Sequence, residues 1–160
     1  MSKMKPSLGF TLHDVARLLR KRFEQRARSL GLTRSQWQVL AHVSVNPGIQ
    51  QSALADILEV EPITLCRIVD KLETGGLVER SLHSTDRRVR LLNITADAEP
   101  LLERMSVFGD LTRGEATAGV SAADQELLLA TLLRMRANLI VACGRPAEAA
   151  PQMESEAVDG

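Results

Sequence analysis

The segment from Ser52 to Thr95 constrains this chain more than any other. Ala53-Leu54-Ala55-Asp56-Ile57-Leu58 predicts a short helix with Ser52 as its N-cap, since a serine hydroxyl accepts a free N–H of the first turn. Glu59-Val60-Glu61 makes a tight connection. Pro62 then opens a second helix where its missing N–H costs nothing. That helix runs from Ile63 to Glu73 and stops at Gly75-Gly76. Leu77 to Arg80 predicts a strand, Asp86-Arg87-Arg88 a loop tip, and Val89 to Ile94 a returning strand. Two short helices followed by a hairpin with a basic tip follow the order of a winged helix-turn-helix, which implies contact with duplex DNA.

The rest of the chain reads as helix. Leu12, Val15, Leu18, Leu19 and Phe23 recur at three- and four-residue spacings, so residues 10–30 predict an amphipathic helix ending at Gly31. Thr33 caps a helix that buries Trp37, Leu40 and Val43 and ends before Asn46-Pro47-Gly48. Thr95 or Asn93 starts a long helix through Leu101, Leu102, Met105 and Phe108. Ser121-x-x-Asp124 has the form of a capping box, and opens a last helix carrying Leu127, Leu128, Leu132, Met135, Leu139 and Ile140. The terminal helices hold more apolar residues than one small winged unit can cover, and the simplest burial is against a second copy. In a twofold dimer, recognition helices ~34 Å apart read the two halves of an inverted repeat.

The expected fold class is therefore mainly α with a small β-wing: a winged helix-turn-helix flanked by N- and C-terminal dimerisation helices. The expected organisation is a flexible N-terminus over 1–9 and a single domain over 10–143. Within it the winged unit covers about 33–95, and the dimerisation helices about 10–30 and 96–143. A disordered tail is expected over 144–160, where Ala, Glu and Pro accumulate without periodicity.

Charge is distributed unevenly. Net charge is zero, yet residues 1–90 carry 15 Lys+Arg against 9 Asp+Glu, and residues 91–160 carry 5 against 11. A basic N-terminal part beside an acidic C-terminal part suits a protein with one face turned to nucleic acid. No apolar run approaches the ~20 residues needed to span a bilayer. Lys3 and Lys5 lead into no apolar stretch, so no signal peptide is expected. Two cysteines, Cys66 and Cys143, suit a reducing cytoplasm. His13, His42 and His83 form no zinc-spaced cluster. No nucleophile–base constellation or phosphate loop appears, so neither an enzyme nor a cofactor is expected.

The Asp86-Arg87-Arg88-Val89-Arg90-Leu91-Leu92-Asn93-Ile94-Thr95 run resembles the wing signature of the MarR/SlyA family of bacterial transcription regulators. Leu54-Ala55, Lys71-Leu72-Glu73, Gly75-Gly76-Leu77-Val78, and Leu32-Thr33 with Trp37 and Leu40 match the same family, over about residues 10–143. The resemblance implies a sequence-specific DNA-binding regulator. It would be a repressor on an inverted-repeat operator, acting as a homodimer and released by a small aromatic carboxylate or phenol. The alternatives are a winged-helix protein-interaction module and an effector-independent regulator.

The residues expected at DNA follow from both readings. Arg67 is the leading base reader, because a guanidinium can grip guanine O6 and N7 with two hydrogen bonds. Its bland alternative is a salt bridge to Asp70 or Asp86. Ser52, Pro62, Ile63, Thr64 and Lys71 are placed beside it. The resemblance puts Arg87 in the minor groove, with Asp86 holding a wing arginine in position. Arg88 and Arg90 are expected at phosphates, with the solvent side of the strand as the alternative for Arg90 and, on its own strand, for Arg80. For the effector, the resemblance implies a site between the winged unit and the dimer helices. Trp37 and Ala41 are its candidate wall, and Arg17 and Arg20 its candidate carboxylate partners.

Overall fold

A computed structural model describes residues 7–146. Residues 1–6 and 147–160 lie outside it, and with them most of the expected flexible start and disordered tail. The chain divides after Ala116 into two compact units.

The first unit opens with α1 (Leu8–Ala27), capped by the Ser7 hydroxyl. The helix starts two residues before the expected residue 10. It passes through a 3₁₀ turn at Arg28–Leu30 into Gly31, whose φ of 69° lets the chain leave the helix cheaply. α2 (Arg34–Val45) begins in a full capping box, in which the Thr33 hydroxyl accepts from the Gln36 N–H and the Gln36 side chain accepts from the Thr33 N–H. A two-residue strand β1 (Ile49–Gln50) leads directly into α3 (Gln51–Leu58), and α4 (Pro62–Thr74) follows with Pro62 in its first turn.

Two expectations are corrected here. Ser52 is not the cap of α3. Pairing of β1 keeps Gln50 extended, so Gln50 is the capping residue, and it caps without a side-chain bond. The wing is also more than a hairpin. β2 (Val78–Leu82) and β3 (Arg90–Ile94) pair antiparallel, and β1 joins on the far side of β3 to give the order β1-β3-β2. The register sets Val78 against Ile94 and Arg80 against Leu92.

The core sits where α2, α3 and α4 meet this sheet. Val39, Leu40, Val43, Leu54, Leu65, Val69, Leu72, Val78 and Leu92 are fully buried. Leu65, Val69 and Leu72 lie along one side of α4, so the opposite side must face out. Thr95 closes the wing onto the end of α4 by donating its hydroxyl to the Gly76 carbonyl at 2.5 Å. A 3₁₀ turn at Ala96–Ala98 then leads into α5 (Glu99–Ala116), which packs along α1. There Glu115 accepts from Arg22 at 2.7 and 2.8 Å and from Arg26 at 2.5 Å.

The second unit begins at Thr117 and contains α6 (Ala122–Cys143), capped by Ser121, whose hydroxyl accepts from the Asp124 N–H. None of its residues is buried, and Leu127, Leu128, Leu129, Leu133, Leu139, Ile140 and Val141 are all exposed. Among the described residues no helix is long and apolar enough to cross a membrane.

Candidate nucleic-acid interface

The outer face of α4 carries the chemistry for reading a duplex. Pro62, Ile63, Thr64, Arg67 and Lys71 are exposed along it. The side chains of Thr64, Arg67 and Lys71 have no intramolecular polar partner among the described residues. The salt bridges considered for Arg67 do not form: Asp70 pairs with Arg80, and Asp86 turns to the backbone of its own loop. Thr64, Arg67 and Lys71 line one wall of a cleft of about 320 Å³, and Thr33, Ser35 and Gln36 at the start of α2 line the other.

A second cleft, of about 230 Å³, lies between the start of α3, the start of α4 and the wing. It gathers Ser52, Pro62, Arg88 and Arg90, with Gln51 and Val89. Ser52 therefore reaches the same surface as a residue within the first turn of α3. Of the expected DNA-facing residues, Thr64, Arg67 and Lys71 line the first cleft and Ser52, Pro62, Arg88 and Arg90 the second, while Ile63 is exposed on α4 outside both and Asp86 and Arg87 are exposed at the wing tip.

The wing tip departs from expectation in one respect. Asp86 Oδ1 accepts from the backbone N–H of Arg88 at 2.9 Å, an Asx turn, instead of gripping the side chain of Arg87 or another wing arginine. Arg90 Nη1 donates to the Arg87 carbonyl at 2.6 Å, so Arg90 braces the same loop. The Arg87 guanidinium is left without an intramolecular partner among the described residues.

Arg80, left ambiguous by the sequence, is the most heavily bonded side chain of the interface. Its Nη1 donates to Glu73 Oε2 at 2.6 Å, its Nε to Gln51 Oε1 at 2.9 Å, and its Nη2 to the Cys66 carbonyl at 3.2 Å. Asp70 Oδ1 lies 2.7 Å from Nη2. The side chain is 15% exposed. Burial opposes its charge, but the hydrogen bonds to Asp70 and Glu73 outweigh that cost and raise its pKa above the ordinary arginine value. The signal in the sequence was faint. If Val78 points inward, Arg80 does too, facing carboxylates spaced three apart on the preceding helix.

The candidate effector residues separate. Trp37 is buried against Phe23, with ring centroids 4.6 Å apart and planes tilted by 52°. Trp37, Ala41 and Phe23 line a cavity of about 320 Å³ with Ser44, Val45, Leu102, Met105, Ser106, Gly109 and Arg113. Arg17 and Arg20 do not line it. Arg17 is exposed and paired with Asp14 at 2.6 Å. The arginine at this cavity is Arg113 of α5, which also pairs with Asp110. Sequence reasoning missed it because α5 meets α2 only in the folded chain. His42, one step from Ala41, has its pKa lowered by burial.

Residues 30–89 match the MarR family. The fold is similar to that of the transcriptional regulator PA3341, at 32% identity over 83% of this chain and 98% of that one, with a TM-score of 0.73. It is also similar to the transcriptional regulator SlyA, at 26% identity over 84% and 94%, with a TM-score of 0.65. The crystal structure of MarR shares the fold at 22% identity over 90% and 98%, with a TM-score of 0.77.

Proposed function

Because the chain belongs to the MarR family of transcriptional regulators, we propose that it represses transcription by binding an inverted-repeat operator as a homodimer. The observation that carries this reading is the outer face of α4, where Thr64, Arg67 and Lys71 line a cleft without intramolecular polar partners among the described residues. Arg67 reads a base edge in the major groove. Arg87 enters the minor groove beside it, while Ser52, Arg88 and Arg90 hold the backbone between the two grooves. Dimerisation uses the exposed apolar residues of α6 and of α1, in the latter Leu8, Phe10, Val15 and Leu18.

The test is duplex binding across a salt series with a sequence selected from a random library. Tight binding is expected, falling steeply with salt at ~0.9 log units per log unit of salt for each phosphate neutralised. Binding without salt dependence or sequence preference would refute the reading.

The effector of this reading is a small aromatic carboxylate or phenol in the Trp37–Ala41 cavity, with Arg113 supplying the positive charge. Trp37 is the chain's one tryptophan, so its fluorescence reports directly on that cavity. Benzoate or phenol should perturb the emission saturably and lower operator affinity. A perturbation absent at millimolar ligand would remove the effector from the reading.

A further inference from the structure

We infer that Arg80 is a positioning residue for duplex reading: it touches no DNA, but fixes the pose of the recognition helix against the wing. The inference rests on the DNA-binding reading above. Arg80 lies on β2, its Nε engages Gln51 at the start of α3, and its two terminal nitrogens engage Cys66, Asp70 and Glu73 of α4. One side chain therefore joins the three elements that must meet a duplex together. A planar guanidinium can do this because its donors point in fixed, diverging directions, whereas an ammonium is a single point charge on a flexible stem.

The position has a second consequence. Asp70 and Glu73 stand on the helix that approaches the phosphates, where uncompensated carboxylates would repel DNA. Arg80 occupies both from the inner side of the sheet and leaves the outer face of α4 to Arg67 and Lys71. Screening and positioning are separable. Screening acts on every duplex alike, since it concerns phosphate charge. Positioning acts on the preference for one sequence, since it sets where Arg67 and Arg87 arrive relative to each other.

The experiment compares the full-length parent with R80K, R80M and the triple variant R80M/D70N/E73Q. Affinity is measured for a duplex selected by the parent and for a random duplex of the same length. R80M should lower the ratio of selected to random affinity about five- to hundred-fold, the span of one misplaced bidentate base contact. The triple variant should recover random-duplex affinity, because the two carboxylates that Arg80 compensates are no longer charged, without recovering the ratio. R80K keeps the charge and loses the fork, so its ratio should fall between those of parent and R80M. If R80M does not fold, R80K decides: a ratio equal to the parent's overturns the inference. A triple variant that regains the parent's ratio overturns it as well, since neutralisation would then be the whole role. A parent that prefers no sequence overturns the DNA-binding reading and this inference together, an outcome distinct from the loss of Arg80's role alone.

Discussion

Arg67 and Arg88 carry the same charge in different surroundings. Arg67 stands on a helix whose opposite side is anchored by Leu65, Val69 and Leu72, so a rigid core fixes the position from which, on the proposed reading, it meets a base edge. Arg88 stands on a loop beside the cleft at the start of α3. Arg67→Ala should cost ~1–3 kcal/mol at the operator and relax preference at one base pair per half-site. Arg88→Ala should weaken all duplexes alike and lower the salt slope by about one unit. Titrations of selected and random duplexes at several salt concentrations separate the two. Asp86 makes a sharper case. Its contact is the backbone N–H of Arg88, so its role is to shape the loop that presents Arg87. Asp86→Asn keeps an acceptor oxygen in place and removes a negative charge near phosphate. It should bind the operator at least as tightly as the parent, whereas Asp86→Ala, which loses the turn, should bind more weakly. Equal weakening in both variants would show that the charge, and not the turn, is what matters.

Helices α1 and α5 are tied by Glu115, which sits between Arg22 and Arg26. Hydrogen bonds from the two arginines, Arg22 first, bring its pKa from the ordinary 4.5 down to about 2. A carboxyl with a lower pKa in the folded than in the unfolded chain stabilises the fold fully above the unfolded value. That contribution is lost as pH falls through the folded value. The tie should therefore hold at neutral pH and weaken between pH 4.5 and about 2. Glu115→Gln should be less stable than the parent at pH 7, and the difference should shrink steadily over that acid window. Urea unfolding at pH 7, 4 and 3 checks the sign, and a difference that grows on acidification would contradict it.

The whole molecule displays apolar surface of a kind that a monomer does not maintain in water. Leu127, Leu128 and Leu129 are consecutive and exposed, so they cover most of the circumference of α6. On the proposed reading the partner is a second copy, since an inverted-repeat operator requires one. Replacing Leu128 and Leu132 with glutamate puts charges into that surface and should yield monomers, or unfolded chains if the monomer cannot fold alone. Light scattering at micromolar concentration reads the outcome directly. A parent that is monomeric there would overturn the dimer. Monomeric variants should also lose operator affinity more than random-duplex affinity, because only the operator rewards two half-sites held at once.

The sequence by itself determined what local chemistry can encode. Pro62 at the start of α4, Gly75-Gly76 at its end, the Thr33 and Ser121 caps and the three- and four-residue apolar spacings all act within a turn or two of chain, and each produced its helix where expected. The wing strands were legible for the same reason, and so was the division of α4 into an inner and an outer face. What tertiary structure alone decided lies in contacts far along the chain. β1 is two residues long and exists because β3 offers it a free edge, and that pairing moved the start of α3 and displaced Ser52 from the cap. Arg113 replaced Arg17 and Arg20 beside Trp37 because side-chain neighbours across helices depend on how those helices pack. Arg80 found its partners 7, 14 and 29 residues away. Periodicity gives the face a residue occupies, but a buried charge is settled only when folding brings its counter-charges within hydrogen-bond reach.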